Sequence, residues 1–344
     1  MKLRVIRVDL PLKHVFTTSR SSVSIVRTII VELEQDGLRG HGEVHEDPYY
    51  GIDVEGMTKL IEQCHELLPR YALADPIAFW NHLDPILGKN KFAQSAVDCA
   101  ACDLWGKMKN KPLWKIWGLS RENVPISSYN VGIDSVERIM EQMADNFDWP
   151  AYRVKIGDRG DMDMLRAIRQ RTNAPFRLDV NGAWNVDTAM RHIEIFKGLN
   201  VELIEQPLAP DDDEGMTKLR KEMKKKGYTV PLFADESWRT PDDLDRLVKQ
   251  FDGVNIKLAK CGGLTPARQL VAKAKYLGYQ LLAANSVEST VGMSAIAQLA
   301  SQFDYLGVDG PVQIDKRIGN GVRVDKGRLI FPDENGTSVR VAFR

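Results

Sequence analysis

Charge of one sign is absent in excess: 47 Lys and Arg face 47 Asp and Glu over 344 residues, so nothing electrostatic points to nucleic acid or to an anionic membrane as a partner. No apolar run approaches the roughly 20 residues that span a bilayer. The opening segment, Met1-Lys2-Leu3-Arg4-Val5-Ile6-Arg7, alternates basic and apolar residues as a strand does and lacks a signal-peptide core, which sets a cytoplasmic expectation. Cysteine is scarce: Cys64, Cys99, Cys102 and Cys261 are too few for a disulfide framework, and without a secretion signal reduced thiols are expected. Cys99 and Cys102 have the spacing of half a metal site, but no second pair exists. They fall in a helical run, Gln94 to Trp105, where two small residues at i and i+3 read as core packing.

What is present is a repeat of short β-branched runs and amphipathic helices. From Val124 onward, strand candidates at 124–131, 151–157, 176–182, 201–207, 231–237, 253–259, 279–285 and 304–309 alternate with helical patterns such as Asp161–Arg171 and Pro266–Leu277. Eight parallel strands with helices between them predict a TIM-type barrel, here (β/α)7β because no long helix follows the eighth strand. The first 50 residues read as strands with a hairpin (26–33, Asp36-Gly37, 38–43), followed by helices near 53–67, 75–86 and 92–109. The predicted organisation is an α+β cap over 1–120, a barrel over 121–311, and a segment over 312–344 that returns to the cap.

Three acidic residues close consecutive strand candidates: Asp179, Glu205 and Asp235, 26 and 30 residues apart, about one βαβ unit each. In a parallel barrel all three carboxylates enter one mouth, where they repel unless a hard divalent cation with oxygen ligands joins them; that predicts Mg²⁺. Lys155 ends the preceding strand and Lys257 the following one, on opposite sides of the barrel, an arrangement suited to moving a proton. A single Asp or Lys at a strand end is often a helix cap or a turn former. Five at the carboxyl ends of five consecutive strands mark the face on which barrel enzymes carry their chemistry.

Over almost its full length the chain resembles the enolase superfamily, and within it the muconate-lactonizing-enzyme subgroup. The resemblance rests on Ser95-Ala96-Val97-Asp98, Asp103-Leu104-Trp105-Gly106-Lys107, Asp179-Val180-Asn181-Gly182-Ala183-Trp184, Glu205-Gln206-Pro207 and Asn255-Ile256-Lys257-Leu258-Ala259-Lys260-Cys261-Gly262-Gly263. Inside the subgroup it is most similar to dipeptide epimerases of the L-Ala-D/L-Glu type, by Asp235-Glu236-Ser237 through Thr265, Val287-Glu288-Ser289 and Asp309-Gly310-Pro311. The resemblance implies Mg²⁺, with Mn²⁺ as substitute, on Asp179, Glu205 and Asp235, and Lys155 and Lys257 as opposed bases at a carbon next to a carbonyl or carboxylate. The implied substrate is a dipeptide. The alternative is an N-acylamino-acid racemase or o-succinylbenzoate synthase, and a non-catalytic binding protein on the same scaffold is a remote third; homo-oligomer formation stays open.

Two departures bear on chemistry. Arg153-Val154-Lys155 replaces the family's Lys-x-Lys; Arg153 shares a strand face with Lys155 and still favours its neutral form. Gly307-Val308-Asp309 replaces Asp-x-Asp, leaving Asp309 as the one carboxylate expected to hold a substrate ammonium. Further expected substrate contacts are Arg153, Ser286 and Glu288, with Thr18, Arg20 and Tyr50 on cap loops that also carry Phe16, His45 and Tyr49. Asn181 and Glu236, next to the acidic strand ends, are expected to support them from behind.

Overall fold

The computed structural model describes residues 1–157, 161–284 and 286–341. Three antiparallel strands come first: β1 (Lys2–Thr17), β2 (Ser22–Gln35) and β3 (Leu38–His45). Asp36 and Gly37 join β2 to β3 with φ of 53° and 78°, the two positive values a type I′ hairpin requires. Helices α1 (Val54–Glu62), α2 (Pro76–Leu87) and α3 (Lys91–Met108) follow. Each is opened by a side chain that accepts a backbone N–H three residues on: Asp53 from Gly56, Asp75 from Ala78 and Asn90 from Ala93. Helix α3 lies so close to β3 that only glycine fits between them. A Cβ on Gly40 would stand 2.2 Å from the Ala100 carbonyl oxygen, and one on Gly42 2.1 Å from that of Ala96.

After a short α4 (Leu113–Ile116) come eight parallel strands paired in chain order: β4 (Tyr129–Val131), β5 (Tyr152–Lys155), β6 (Phe176–Asp179), β7 (Val201–Glu205), β8 (Leu232–Ala234), β9 (Gly253–Asn255), β10 (Gln280–Ala284) and β11 (Tyr305–Gly307). Between them run α5 (Val136–Gln142), α6 (Asp161–Arg169), α7 (Val186–Ile195), α8 (Asp213–Lys225), α9 (Asp243–Leu247), α10 (Leu258–Cys261) with α11 (Leu264–Tyr276), and α12 (Thr290–Ala297). A continuous apolar layer separates strands from helices, and Leu203, Phe233, Leu282 and Ala284 fill the barrel interior. Among the described residues, the first and last strands meet in one backbone bridge, Ser127 with Leu306; side chains extend the closure, as where Ser127 Oγ accepts from the Val308 N–H at 2.9 Å. This is the expected (β/α)7β barrel. After α13 (Gly310–Gln313) the chain forms the hairpin β12 (Arg323–Asp325) and β13 (Arg328–Ile330), then returns to the first helices, where Thr337 N–H donates to Asp103 at 2.8 Å.

The barrel strands are shorter than the sequence predicts. The run expected at 124–131 pairs over Tyr129–Val131, that at 231–237 over Leu232–Ala234 and that at 253–259 over Gly253–Asn255. Their missing ends have left the ladder to build the mouth: Asp235 lies one residue past β8, and Lys257 caps α10. Residue 285, the end of the seventh expected strand, lies outside the described residues.

The two parts are joined by buried carboxylates. Glu43 on β3 accepts from the N–H and Oγ of Ser289 (3.0 and 2.5 Å) and from the Gly292 N–H (2.8 Å), at the start of α12. Asp98, inside α3, accepts from the Thr265 N–H at 2.8 Å in α11, while its Oδ1 has no hydrogen-bond partner among the described residues. Burial pushes its pKa up to about 7 from 3.8. A raised acid means the folded state binds more protons than the unfolded chain between those two values, so stability falls as pH rises from about 4 to about 7 and is level above. Asp98→Asn keeps the acceptor without the charge. It is expected to raise the thermal midpoint at pH 8 by a few degrees and to change it little at pH 5; equal midpoints at pH 8 would refute this.

Candidate active site

The strand registers bring the acidic residues together. Lys155 is level with Asp179, and Asp179 with Glu205; Glu205 is level with Phe233, so Asp235 stands two residues further up the next strand, on the same face. All three carboxylates are fully buried, and Lys155 and Arg153 are nearly so. Arg153 spreads its guanidinium fork over two of them: Nε donates to Glu205 Oε2 at 2.9 Å, Nη2 to Glu205 Oε1 at 2.9 Å, and Nη2 also to Asp179. Lys155 donates to Asp179 and, at 3.4 Å, to Asn181 Oδ1. Lys257 donates to Asp235 at 2.5 Å, and Lys260 reaches the same carboxylate at 3.0 Å. The two expected bases thus sit four strands apart, with the three acidic strand ends between them.

Their surroundings differ. Burial, reinforced by the Arg153 charge, holds the Lys155 ammonium below the ordinary lysine pKa against the pull of Asp179. Burial acts in the same sense on Lys257, but Asp235, Glu205 and Glu236 outweigh it and hold that ammonium above the ordinary value. Burial, with Asp179 and Asp235 adding to it, raises Glu205 to about 7 despite Arg153. Asp235 is likewise opposed by burial, yet Lys257 and Lys260 keep it well below the carboxylate range.

The donor set is three carboxylates on adjacent strand ends that raise one another's pKa, hard oxygen ligands of the kind a divalent cation takes. Each is bonded to a basic side chain, and among the described residues no three acidic, histidine or cysteine groups close on a common point at metal-ligand spacing.

Other expected site residues divide. Asn181 and Glu236 are joined beside the acidic residues: the Asn181 N–H donates to Asp179 Oδ1 at 3.1 Å, its Nδ2 donates to Glu236 Oε1 at 3.1 Å, and the same oxygen accepts from Arg20, which also lies over the Tyr49 ring at 4.0 Å. Tyr50, Ser286 and Glu288 line a cavity with His45, Asp47 and Lys257; the Tyr50 hydroxyl is buried and, among the described residues, has no hydrogen-bond partner. Thr18 differs from expectation, because its Oγ is occupied by the loop itself, accepting from the N–H groups of Arg20 and Ser21 at 3.1 and 3.2 Å. Phe16 belongs to β1. Asp309 also differs: it is fully buried and its oxygens accept from Asn130 and Gln313, so it offers no exposed carboxylate.

Several polar residues join the site without having been singled out. Gln206, at φ 41°, follows Glu205 in a left-handed conformation that costs a non-glycine residue about 1–3 kcal/mol. Its Oε1 accepts from the N–H groups of Asp235 and Ser237 at 3.1 and 3.0 Å, tying one acidic strand end to the next. Asn255 donates to Glu205 at 2.7 Å while its Oδ1 accepts from the Ala284 N–H at 2.9 Å. The Glu205-Gln206-Pro207 and Asn255-x-Lys257-x-x-Lys260 runs carried the signal, each polar residue lying beside a charged one.

The model of the mandelate racemase / muconate lactonizing enzyme N-terminal domain matches residues 1–118, and that of the enolase C-terminal domain-like family matches residues 135–344. A relative from Flavobacterium johnsoniae, an L-Ala-D/L-amino acid epimerase, is 37% identical over 339 residues, spanning 98% of this chain and 99% of that one. Among solved structures, a substrate-liganded L-Ala-D/L-Glu epimerase from Bacillus subtilis superposes with a TM-score of 0.91 at 25% identity, over 100% of this chain and 99% of that one. A dipeptide epimerase from Enterococcus faecalis, complexed with Mg and L-Leu-L-Tyr, gives 0.88 at 25% identity over 98% of each chain.

Proposed function

The chain belongs to the mandelate racemase / muconate lactonizing enzyme family of the enolase superfamily, and on that premise we propose that it is a dipeptide epimerase, inverting a carbon next to a carbonyl or carboxylate. The observation that carries this reading is Lys155 and Lys257 on either side of three adjacent buried carboxylates. The epimerase relatives, alike over nearly the whole chain, support it.

Asp179, Glu205 and Asp235 are the residues that would hold Mg²⁺, which when bound supplies electrophilic stabilisation of negative charge gathering on a substrate oxygen. Lys155 removes the α-proton from one face, and Lys257 delivers a proton to the other. Arg153 keeps a fixed positive charge beside Lys155 and cannot itself exchange a proton at neutral pH. Tyr50, Ser286 and Glu288 line a cavity beside Lys257 and Lys260, where they would meet the substrate.

One observation favours the N-acylamino-acid reading: neither Gly307 nor the buried Asp309 presents a carboxylate at the end of β11. A panel of L-Ala-L-Xaa dipeptides and N-acetyl and N-succinyl amino acids in D₂O, followed by mass, decides between them. Dipeptides should gain one deuterium with the higher kcat/KM; preference for the acylated compounds would replace the dipeptide reading with the racemase one.

A further inference from the structure

Asp309 follows the last barrel strand, and all of its hydrogen bonds run back across the seam or within its own turn. Oδ2 accepts from the Asn130 backbone N–H and from Gln313 Nε2, both at 2.8 Å, and Oδ1 accepts from Asn130 Nδ2. The other end of that carboxamide, Asn130 Oδ1, accepts from Arg153 Nη1 at 3.2 Å. Arg153 then grips Glu205 and Asp179. A carboxylate on the last strand is thus linked through one amide on the first strand to a guanidinium on the second, and through it to acidic residues on the third and fourth.

We infer that Asp309 is a positioning residue and not a substrate contact: it fixes Asn130, which orients the Arg153 fork on Asp179 and Glu205. The chemistry runs in one direction only. A carboxamide has a donor end and an acceptor end, and a carboxylate can only accept. Asp309 therefore holds the Nδ2 end toward itself and leaves Oδ1 for Arg153; the flipped amide would set N–H groups against N–H groups. The seam needs such a device, because one backbone bridge leaves the relative height of β4 and β11 to side chains. Asp309 is 0% exposed, which suits this role and leaves no face for an ammonium group.

The inference rests on the reading that Asp179 and Glu205 take part in holding a divalent cation, and calorimetric titration of the full chain with Mg²⁺ alone tests it without substrate. Asp309→Asn and Asn130→Ala should each weaken Mg²⁺ binding about ten- to a hundredfold, the usual cost of removing a group that orients a metal ligand. The double variant should lose no more than the worse single one, since the two act in series. The KM values for a dipeptide and for an N-acetyl amino acid should move together. Unchanged Mg²⁺ affinity in Asp309→Asn, with KM raised at least tenfold for free dipeptides alone, would overturn the inference; so would additive losses in the double variant. If either single variant does not fold, Gln313→Ala, which removes one donor to Asp309, should show a smaller loss of the same kind, and a selective rise in dipeptide KM would again refute it. If the wild-type chain binds no Mg²⁺, the metal reading fails while the seam remains testable: the Asn130 amide, protected from hydrogen exchange in the wild type, should exchange at least ten times faster in Asp309→Ala, and unchanged protection would end the proposal.

Discussion

Replacing Asp179, Glu205 or Asp235 singly by the corresponding amide is expected to reduce turnover by at least a hundred- to a thousandfold, the scale on which one preorganised electrostatic contact acts in a transition state. The three should differ in stability. Glu205 receives two bonds from the Arg153 fork and one from Asn255, so Glu205→Gln leaves a buried guanidinium short of one of its two counter-charges, at a cost of about 3–5 kcal/mol. Its thermal midpoint should fall below that of the unaltered chain. Asp235 is shared between Lys257 and Lys260, so Asp235→Asn leaves two buried cations at once without their shared counter-charge. Exhaustive treatment with a chelator should abolish activity in the unaltered chain, and Mg²⁺ should restore it. Full activity after metal stripping would remove the metal from the mechanism.

Substitution of the two lysines should separate the halves of the reaction. With Lys155→Ala, epimerisation should fall by about 10²–10⁴, the usual contribution of a positioned proton carrier. One epimer should still exchange its α-hydrogen for deuterium through Lys257. Lys257→Ala should spare exchange of the other. The expectation follows from their positions at β5 and just past β9, with the acidic strands β6 to β8 between them. If both variants lost both exchanges while still binding Mg²⁺, the two lysines would have to act as one unit and not as opposed carriers.

The charged part of this site was legible because strand ends in a repeating βα pattern have known destinations. Asp179, Glu205, Asp235, Lys155 and Lys257 needed no contact information, only the knowledge that the carboxyl ends of parallel strands share one mouth. The neutral part was not. Gln206 and Asn255 look like ordinary polar residues in a run, and their value lies in hydrogen bonds to neighbouring strands that no spacing reveals. The link between Asn130 and Asp309 spans 179 residues and exists only because the barrel closes on itself. Asp309 was therefore visible as a carboxylate but not as one already occupied. Strand length erred for a related reason: the runs were read on past Ala234 to 237 and past Asn255 to 259, but the backbone there leaves the ladder to build the mouth.

The contact of β3 with α3 sets a limit on how this protein can vary. Every substitution of a glycine, whichever codon change produces it, adds at least a Cβ. At Gly40 and Gly42 that atom would meet a helix backbone carbonyl near 2 Å, which no rotamer choice relieves. A conservative replacement therefore does not exist at either position, and any drift has to begin with a shift of the helix itself. Because β3 runs directly into His45, Asp47 and Tyr50, such a shift would also move one wall of the cavity. At these two glycines the cap cannot diverge without moving that wall, even though neither glycine lines it.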